Sequence, residues 1–169
     1  MKNSIFLFLI SLLVLWGCNE TPKTLSDAEK EGVKEEVASA VQKYHDETTA
    51  KNIDTVMSLF TEDGLYCGTD KDEFWSYTDL TNMMKYMMSD SANTLVYNIE
   101  KLEIKVSNDG KSAIAVEQYH MPHVFGENLP VRSITHLVKV EDSWKIDFLN
   151  WSLLPANQDL GKIITVLEK

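Results

Sequence analysis

The sequence predicts one α+β domain: a curved antiparallel sheet with N-terminal helices laid over its concave face. Three observations carry this expectation. Apolar residues recur at helical spacing from Val33 to Met88, they alternate with polar residues from Leu95 onward, and residues 132–152, RSITHLVKVEDSWKIDFLNWS, place two β-rich runs around a polar turn from Glu141 to Ser143. Helices first and strands afterwards mean segregated layers rather than alternating βα units. At 169 residues the chain is long enough for one full hydrophobic core and short for two.

Taken in order, the chain opens with Lys2 and an apolar run from Ile5 to Trp16, the layout of a secretory signal and too short to span a bilayer comfortably. Leu15, Trp16, Gly17 and Cys18 then resemble the lipobox of bacterial lipoproteins. That resemblance implies a signal peptide over residues 1–17, lipid attachment at Cys18, a polar tether over residues 18–25 and a folded domain over residues 26–169. It places the protein in the bacterial cell envelope, anchored by lipid chains on the periplasmic or the outer side.

Ser26 to Glu29 fits a capping box for a long first helix, in which Val33, Val37, Ala40, Val41, Tyr44 and Thr48 form the apolar stripe. Asn52 is placed to cap a second helix carrying Val56, Met57, Leu59 and Phe60 inward, with a closing turn at Glu62, Asp63 and Gly64 and a short strand from Leu65 to Gly68. Thr78 is placed to cap a third helix with Leu80, Met83, Met84, Met87 and Met88. Thioethers repack around ligands of different shape, so this helix suits either an adaptable pocket or an irregular core.

Leu95, Tyr97 and Ile99 alternate in one phase and Leu102, Ile104 and Val106 in the other, which calls for a bulge. Asn108 to Gly110 turns the chain into a partner strand from Ser112 to Tyr119. Pro122 and Pro130 bound an irregular segment before the hairpin of residues 132–152. Leu160, Ile163, Ile164 and Leu167 form an amphipathic terminal helix expected to pack on the domain.

Charge narrows the partners. A net charge of −10 with no basic stretch disfavours nucleic acid and electrostatic docking on anionic lipid. With only Cys18 and Cys67 present, no disulfide framework is implied, and Cys67 reads as a small buried hydrophobe. His120 and His123, with Glu117 nearby, lack a third converging ligand, so no metal site is expected and no cofactor is implied. No nucleophile elbow, phosphate-binding glycine loop or carboxylate pair is present.

The run VQKYHDETTAKNIDTVMSLFTEDGLYCGTDKDEFW, with Phe60, Gly68, Thr69, Asp70, Glu73 and Trp75, and the later strand from Trp144 to Ser152 resemble the nuclear transport factor 2-like superfamily and, within it, the SnoaL-like domains. The resemblance covers about residues 26–155 and implies a cystatin-like cone. Its members include isomerases, dehydratases, cyclases and non-catalytic assembly domains, so it does not assign chemistry. Tyr44 matches the oxyanion-hole tyrosine of the family's ketosteroid isomerase. Gly68 stands where that isomerase carries its general-base aspartate, and Asn150 where related proteins often carry histidine.

The expected ligand pocket therefore comprises Tyr44, Tyr66, Trp75, Met84, Arg132, His136, Phe148 and Asn150. The place of Arg132 and His136 depends on parity: a turn with an odd number of residues sets them beside Phe148 and Asn150, and a two-residue turn reverses them. The leading expectation is a non-catalytic binder of a small apolar or amphipathic molecule, dimeric through its convex sheet. One alternative is an isomerase, dehydratase or cyclase using Tyr44, His136 and Asp147. The other is an envelope assembly module that docks through the face of Trp151.

Overall fold

The computed structural model describes residues 24–168. The expected signal peptide and the expected lipid-attachment residue Cys18 lie outside them. Helix α1 (Asp27–Thr49) starts on the expected capping box: Ser26 Oγ accepts from Glu29 N, and the Glu29 carboxylate accepts from Ser26 N. A cap of this kind contributes about 1 kcal/mol. Val37, Val41, Tyr44, His45 and Thr48 bury one stripe of the helix, and each fully buried aliphatic side chain there contributes roughly 1.5–3 kcal/mol.

Helix α2 (Ile53–Ser58) begins after Asn52, whose side chain donates to Glu47 Oε2 instead of capping. The turn expected at Glu62 to Gly64 does not form. Strand β1 (Phe60–Cys67) runs through it as an irregularity between Phe60 and Leu65. Strand β2 (Phe74–Trp75) follows, then helix α3 (Tyr77–Ser89), capped by Ser76 with Asp79 rather than by Thr78. Leu80, Met84 and Met88, four residues apart, form its buried stripe.

Strands β3 (Asn98–Val106) and β4 (Ser112–His120) pair antiparallel, with the expected bulge between Ile99 and Lys101. The turn between them needs Gly110 at φ 71°, a conformation unfavourable to other residues. A short helix α4 (Pro122–Phe125) leads to β5 (Val131–Val140) and β6 (Ser143–Leu153). The sheet order is β2-β1-β6-β5-β4-β3. The sheet is curved and unclosed, and it is mixed rather than wholly antiparallel, because β1 pairs β6 in parallel.

Parity in the β5/β6 hairpin is decided twice. Val140 pairs with Ser143 across a two-residue turn, so Leu137 faces with Ile146, and Lys139 with Trp144. The register then shifts at Asp147, and beyond it His136 pairs with Phe148, Ile134 with Asn150 and Arg132 with Ser152. Cross-strand partners share a face, so the bulge moves Phe148 and Asn150 away from Trp144 and Ile146. The helix-covered face holds Ser133, Thr135, Leu137, Leu149 and Trp151, and the first four are buried. Arg132, His136, Phe148 and Asn150 share the opposite, convex face.

The terminal helix α5 (Leu160–Leu167) buries no residue. Its Leu160, Ile163, Ile164, Val166 and Leu167 stay exposed among the described residues, contrary to the expectation that it packs on the domain. No described helix is long and apolar enough to cross a membrane.

Candidate functional site

Under the helices the concave face encloses a cavity of about 320 Å³. Tyr44 enters from α1, Met83, Tyr86 and Met87 from α3, and Trp75 from β2. Tyr97, just ahead of β3, joins Tyr119 of β4 and Trp151 of β6 on the sheet side. Met121, Val124 and Phe125 complete the wall around α4. This is mostly apolar and aromatic lining with few polar atoms, the composition of small-molecule sites.

Trp75 and Trp151 meet edge to face, ring centroids 6.1 Å apart at 65°. Trp75 is brought there by the short β1–β2 hairpin, in which it pairs with Tyr66. The connection folds tightly at Gly68, whose N–H donates to Glu73 O at 3.0 Å, while Asp70 N donates to Glu73 Oε2 at 2.9 Å. A Cβ on Gly68 would lie 2.6 Å from Trp75 Cη2 and overlap the Glu73 carboxylate. A side chain at Gly68 therefore fits only if the Glu73 or Trp75 side chain moves.

At the inner end Tyr44, Tyr97 and Tyr119 converge. The Tyr44 and Tyr97 rings are 6.3 Å apart, and Tyr97 and Tyr119 are 5.2 Å apart, each pair edge to face. Behind them His45 stacks on Tyr97 at 4.2 Å and brings Nε2 to 3.3 Å from Glu117 Oε2, which also accepts from Ser133 Oγ at 3.2 Å. Burial pushes the Tyr97 hydroxyl up to about 12 and those of Tyr44 and Tyr119 well above their ordinary value, with the Glu117 carboxylate adding to all three. The Thr48 hydroxyl is fully buried and close enough to influence Tyr97, yet it makes no hydrogen bond of good geometry.

Of the eight residues expected in the pocket, Tyr44 and Trp75 line it. Tyr66 is wholly buried beneath the wall, its hydroxyl 2.6 Å from Thr61 O, and Met84 is in the core while Met83 and Met87 face the cavity. The methionine helix thus serves both readings at once. Arg132, His136, Phe148 and Asn150 are across the sheet. There Arg132 donates to Gln118 Oε1 at 2.9 Å, His136 Nδ1 is 2.7 Å from Asp147 Oδ1, and Asn150 donates to Ser152 Oγ at 3.0 Å. An acid-base centre joining Tyr44 to His136 and Asp147 is therefore not assembled, and Trp151 lines the cavity.

Sequence reasoning passed over Tyr97, Tyr119, Trp151 and the His45–Glu117 pair. The signal for two of them was present: His45 continues the Val37, Val41 stripe, and Glu117 and Tyr119 share the phase of Ala113 and Ala115. Cys67 is buried, and burial pushes its thiol up. Among the described residues no three histidine, cysteine or acidic side chains converge on a point that could hold a metal ion.

A helix-lined cavity on a curved six-stranded sheet agrees with a family model for the SnoaL-like domain, which matches residues 37–156. The chain belongs to the SnoaL-like domain family. Solved structures share the fold of this SnoaL-like domain at low identity. A Pectobacterium atrosepticum protein of unknown function from the DUF3225 family is 17% identical with a TM-score of 0.62, over 73% of this chain and 92% of that one. An NTF2-like protein with a cystatin-like fold from Novosphingobium aromaticivorans is 14% identical, TM-score 0.59, over 77% and 87%. A putative calcium/calmodulin dependent protein kinase II association domain from Xanthomonas campestris is 18% identical, TM-score 0.58, over 72% and 87%. No curated protein matches the sequence.

Proposed function

We propose that this SnoaL-like domain binds a small apolar or amphipathic molecule in its cavity without turning it over. The lining carries the reading: tryptophans, tyrosines and methionines surround about 320 Å³, and the one carboxylate among them, Glu73, is engaged by the Asp70 backbone. A general acid or base needs a titratable group within reach of the ligand, and the imidazole and second carboxylate nearest the cavity, His45 and Glu117, stand behind the tyrosines. Thermal shift and native mass spectrometry on protein lacking residues 1–18 test the reading. A retained or stabilising apolar molecule supports it, lost in Trp151→Ala, whereas no shift across a broad library of such molecules counts against it.

The lipobox-like sequence supports an envelope lipoprotein held by lipid at Cys18. Metabolic labelling with a fatty-acid analogue, abolished by Cys18→Ser, is the check.

Pairing of two copies through the convex sheet is supported by Leu65, Phe74, Ile114 and Ile134, exposed apolar side chains on that face. The polar groups among them are hydrogen-bonded within one chain, Arg132 to Gln118 and His136 to Asp147, so pairing with a second identical face strands few of their donors. Ile134→Glu is expected to convert dimer to monomer in analytical ultracentrifugation while leaving ligand binding intact.

A further inference from the structure

Two apolar surfaces stay open to water, the mouth of the cavity and one whole side of α5. Most of the cavity lining is shielded, but Thr69, Tyr86 and Val124 are exposed, Tyr86 by 78%, and so mark the mouth. On α5, Leu160, Ile163, Ile164 and Leu167 recur at the spacing of a helix that buries one side, yet all four are exposed. Apolar groups gathered in this way mark a surface that has a partner. The chain joins the two surfaces directly. Trp151 lines the cavity, β6 ends at Leu153, and Leu154 N donates to Pro130 O at 2.9 Å. Beyond that bond, among the described residues, the 3-10 turn Asn157–Asp159 and α5 make hydrogen bonds only within residues 156–168.

We propose that α5 folds back over the mouth of its own cavity when a ligand is bound, and that its apolar side supplies the wall the cavity lacks there. The inference rests on the ligand-binding reading above and adds residues to the same site. Reach permits it. The tether starts at the cavity rim, residues 154–159 extend to at most about 20 Å, and a helix of this length is about 12 Å long. Charge agrees: Lys162, the one cation of α5, is 82% exposed and held by Asp159 beside it, while the rim loop carries Asp70, Asp72 and Glu73 against Lys71. A bilayer is the poorer occupant. Leu25 N donates to Asn108 O, so the segment leading to the expected lipid anchor enters at the β3–β4 turn, whereas α5 leaves from the opposite end of the sheet, roughly 30 Å away along β6. The SnoaL-like match ends at residue 156, and α5 lies beyond it.

Hydrogen–deuterium exchange and titration with 2-naphthol, followed by tryptophan fluorescence, test this on protein lacking residues 1–18, which keeps every described element. Saturating 2-naphthol is expected to slow amide exchange in residues 160–167 about tenfold. Ending the chain at Ala156, or the pair Ile163→Glu and Ile164→Glu, is expected to weaken 2-naphthol about tenfold, a loss that a fraction of the apolar area on α5 is enough to supply. The urea midpoint without ligand stays where it is, because α5 buries no residue in the open form. Affinity unchanged in both variants, with no slowed exchange, overturns the lid and leaves the pocket standing. Exchange slowed by raising the protein concentration, or by phosphatidylglycerol vesicles, and not by 2-naphthol gives α5 to a second copy or to a bilayer and likewise overturns the lid. Failure of the wild type to bind 2-naphthol removes the pocket reading and the lid with it.

Discussion

His45 on the first helix and Glu117 on the fourth strand meet at 3.3 Å with almost no exposure to water, pinning α1 to the middle of the sheet. Ser133 Oγ donates to the same carboxylate, so removing it strands two polar groups in the interior. Glu117→Ala is expected to cost about 3–5 kcal/mol, the usual loss when one partner of a buried pair is deleted. Glu117→Gln keeps the volume and an acceptor oxygen and costs less. Urea denaturation measures both; a loss below about 1 kcal/mol for Glu117→Ala would show that the contact contributes little.

The tyrosines give a pH signature. Tyr66 and Tyr97 are pushed up to about 12, and Tyr44 and Tyr119 are well above the ordinary 10, burial being the largest cause in every case. A folded-state value above the unfolded one means that folding favours the protonated form. That stabilisation is complete below about pH 10 and is lost as pH rises through 12. Tyrosinate absorbance should therefore show these four resisting ionisation above pH 10 and then ionising together as the fold opens. Four titrations near pH 10 in folded protein would contradict the buried arrangement.

Much of the fold is legible in the sequence because it rests on local periodicity. The stripe of α1, the Ser26 capping box, the bulge near Ile99 and the turn at Gly110 each follow from a few neighbouring residues. The candidate site is less legible because it turns on one residue of register. The alternation from Trp144 to Asn150 reads as unbroken, yet the bulge at Asp147 sends Trp144 and Ile146 to one face and Phe148 and Asn150 to the other. Asp147 hydrogen-bonds His136 across the hairpin at the point of the shift, a long-range contact that no local pattern encodes. The parallel pairing of β1 with β6 is hidden for the same reason. Capping went to Ser76 over Thr78 because Asp79 completes a reciprocal box with the serine.

A second pH effect lies at the acid end. The Glu36 carboxylate on α1 accepts from Lys139 Nζ at 2.8 Å and from Trp144 Nε1 at 3.0 Å, and these bonds hold its pKa below the ordinary 4.5. A folded value below the unfolded one gives stability that is present above about pH 4.5 and is lost as pH falls through the lowered value. Glu36 is half exposed, so the contribution is small. Glu36→Gln is expected to lower stability slightly at neutral and alkaline pH, where the carboxylate contributes, and so to flatten the acid limb of the stability curve. Trp144 fluorescence reports the same event; an unchanged acid limb in the variant would remove Glu36 from the account.

Gly68 offers the sharpest separation of binding from folding. Its missing side chain lets Trp75 and Glu73 close over the loop, and a methyl group there would lie 2.6 Å from the indole, well inside contact distance. Gly68→Ala must displace the Glu73 side chain or tilt Trp75 away from Trp151. The loop from Thr69 to Asp72 is exposed and free to yield, so the stability cost is expected to stay near 1–2 kcal/mol, within the ordinary range for a point change. Affinity for an apolar probe should fall at least tenfold, because Trp75 forms one wall of the cavity and its edge-to-face contact with Trp151 sets the width. Titration of the variant with 2-naphthol, beside its urea midpoint, separates the two effects. Unchanged affinity with a lowered midpoint would assign the Gly68 loop to folding alone and place the ligand elsewhere in the cavity.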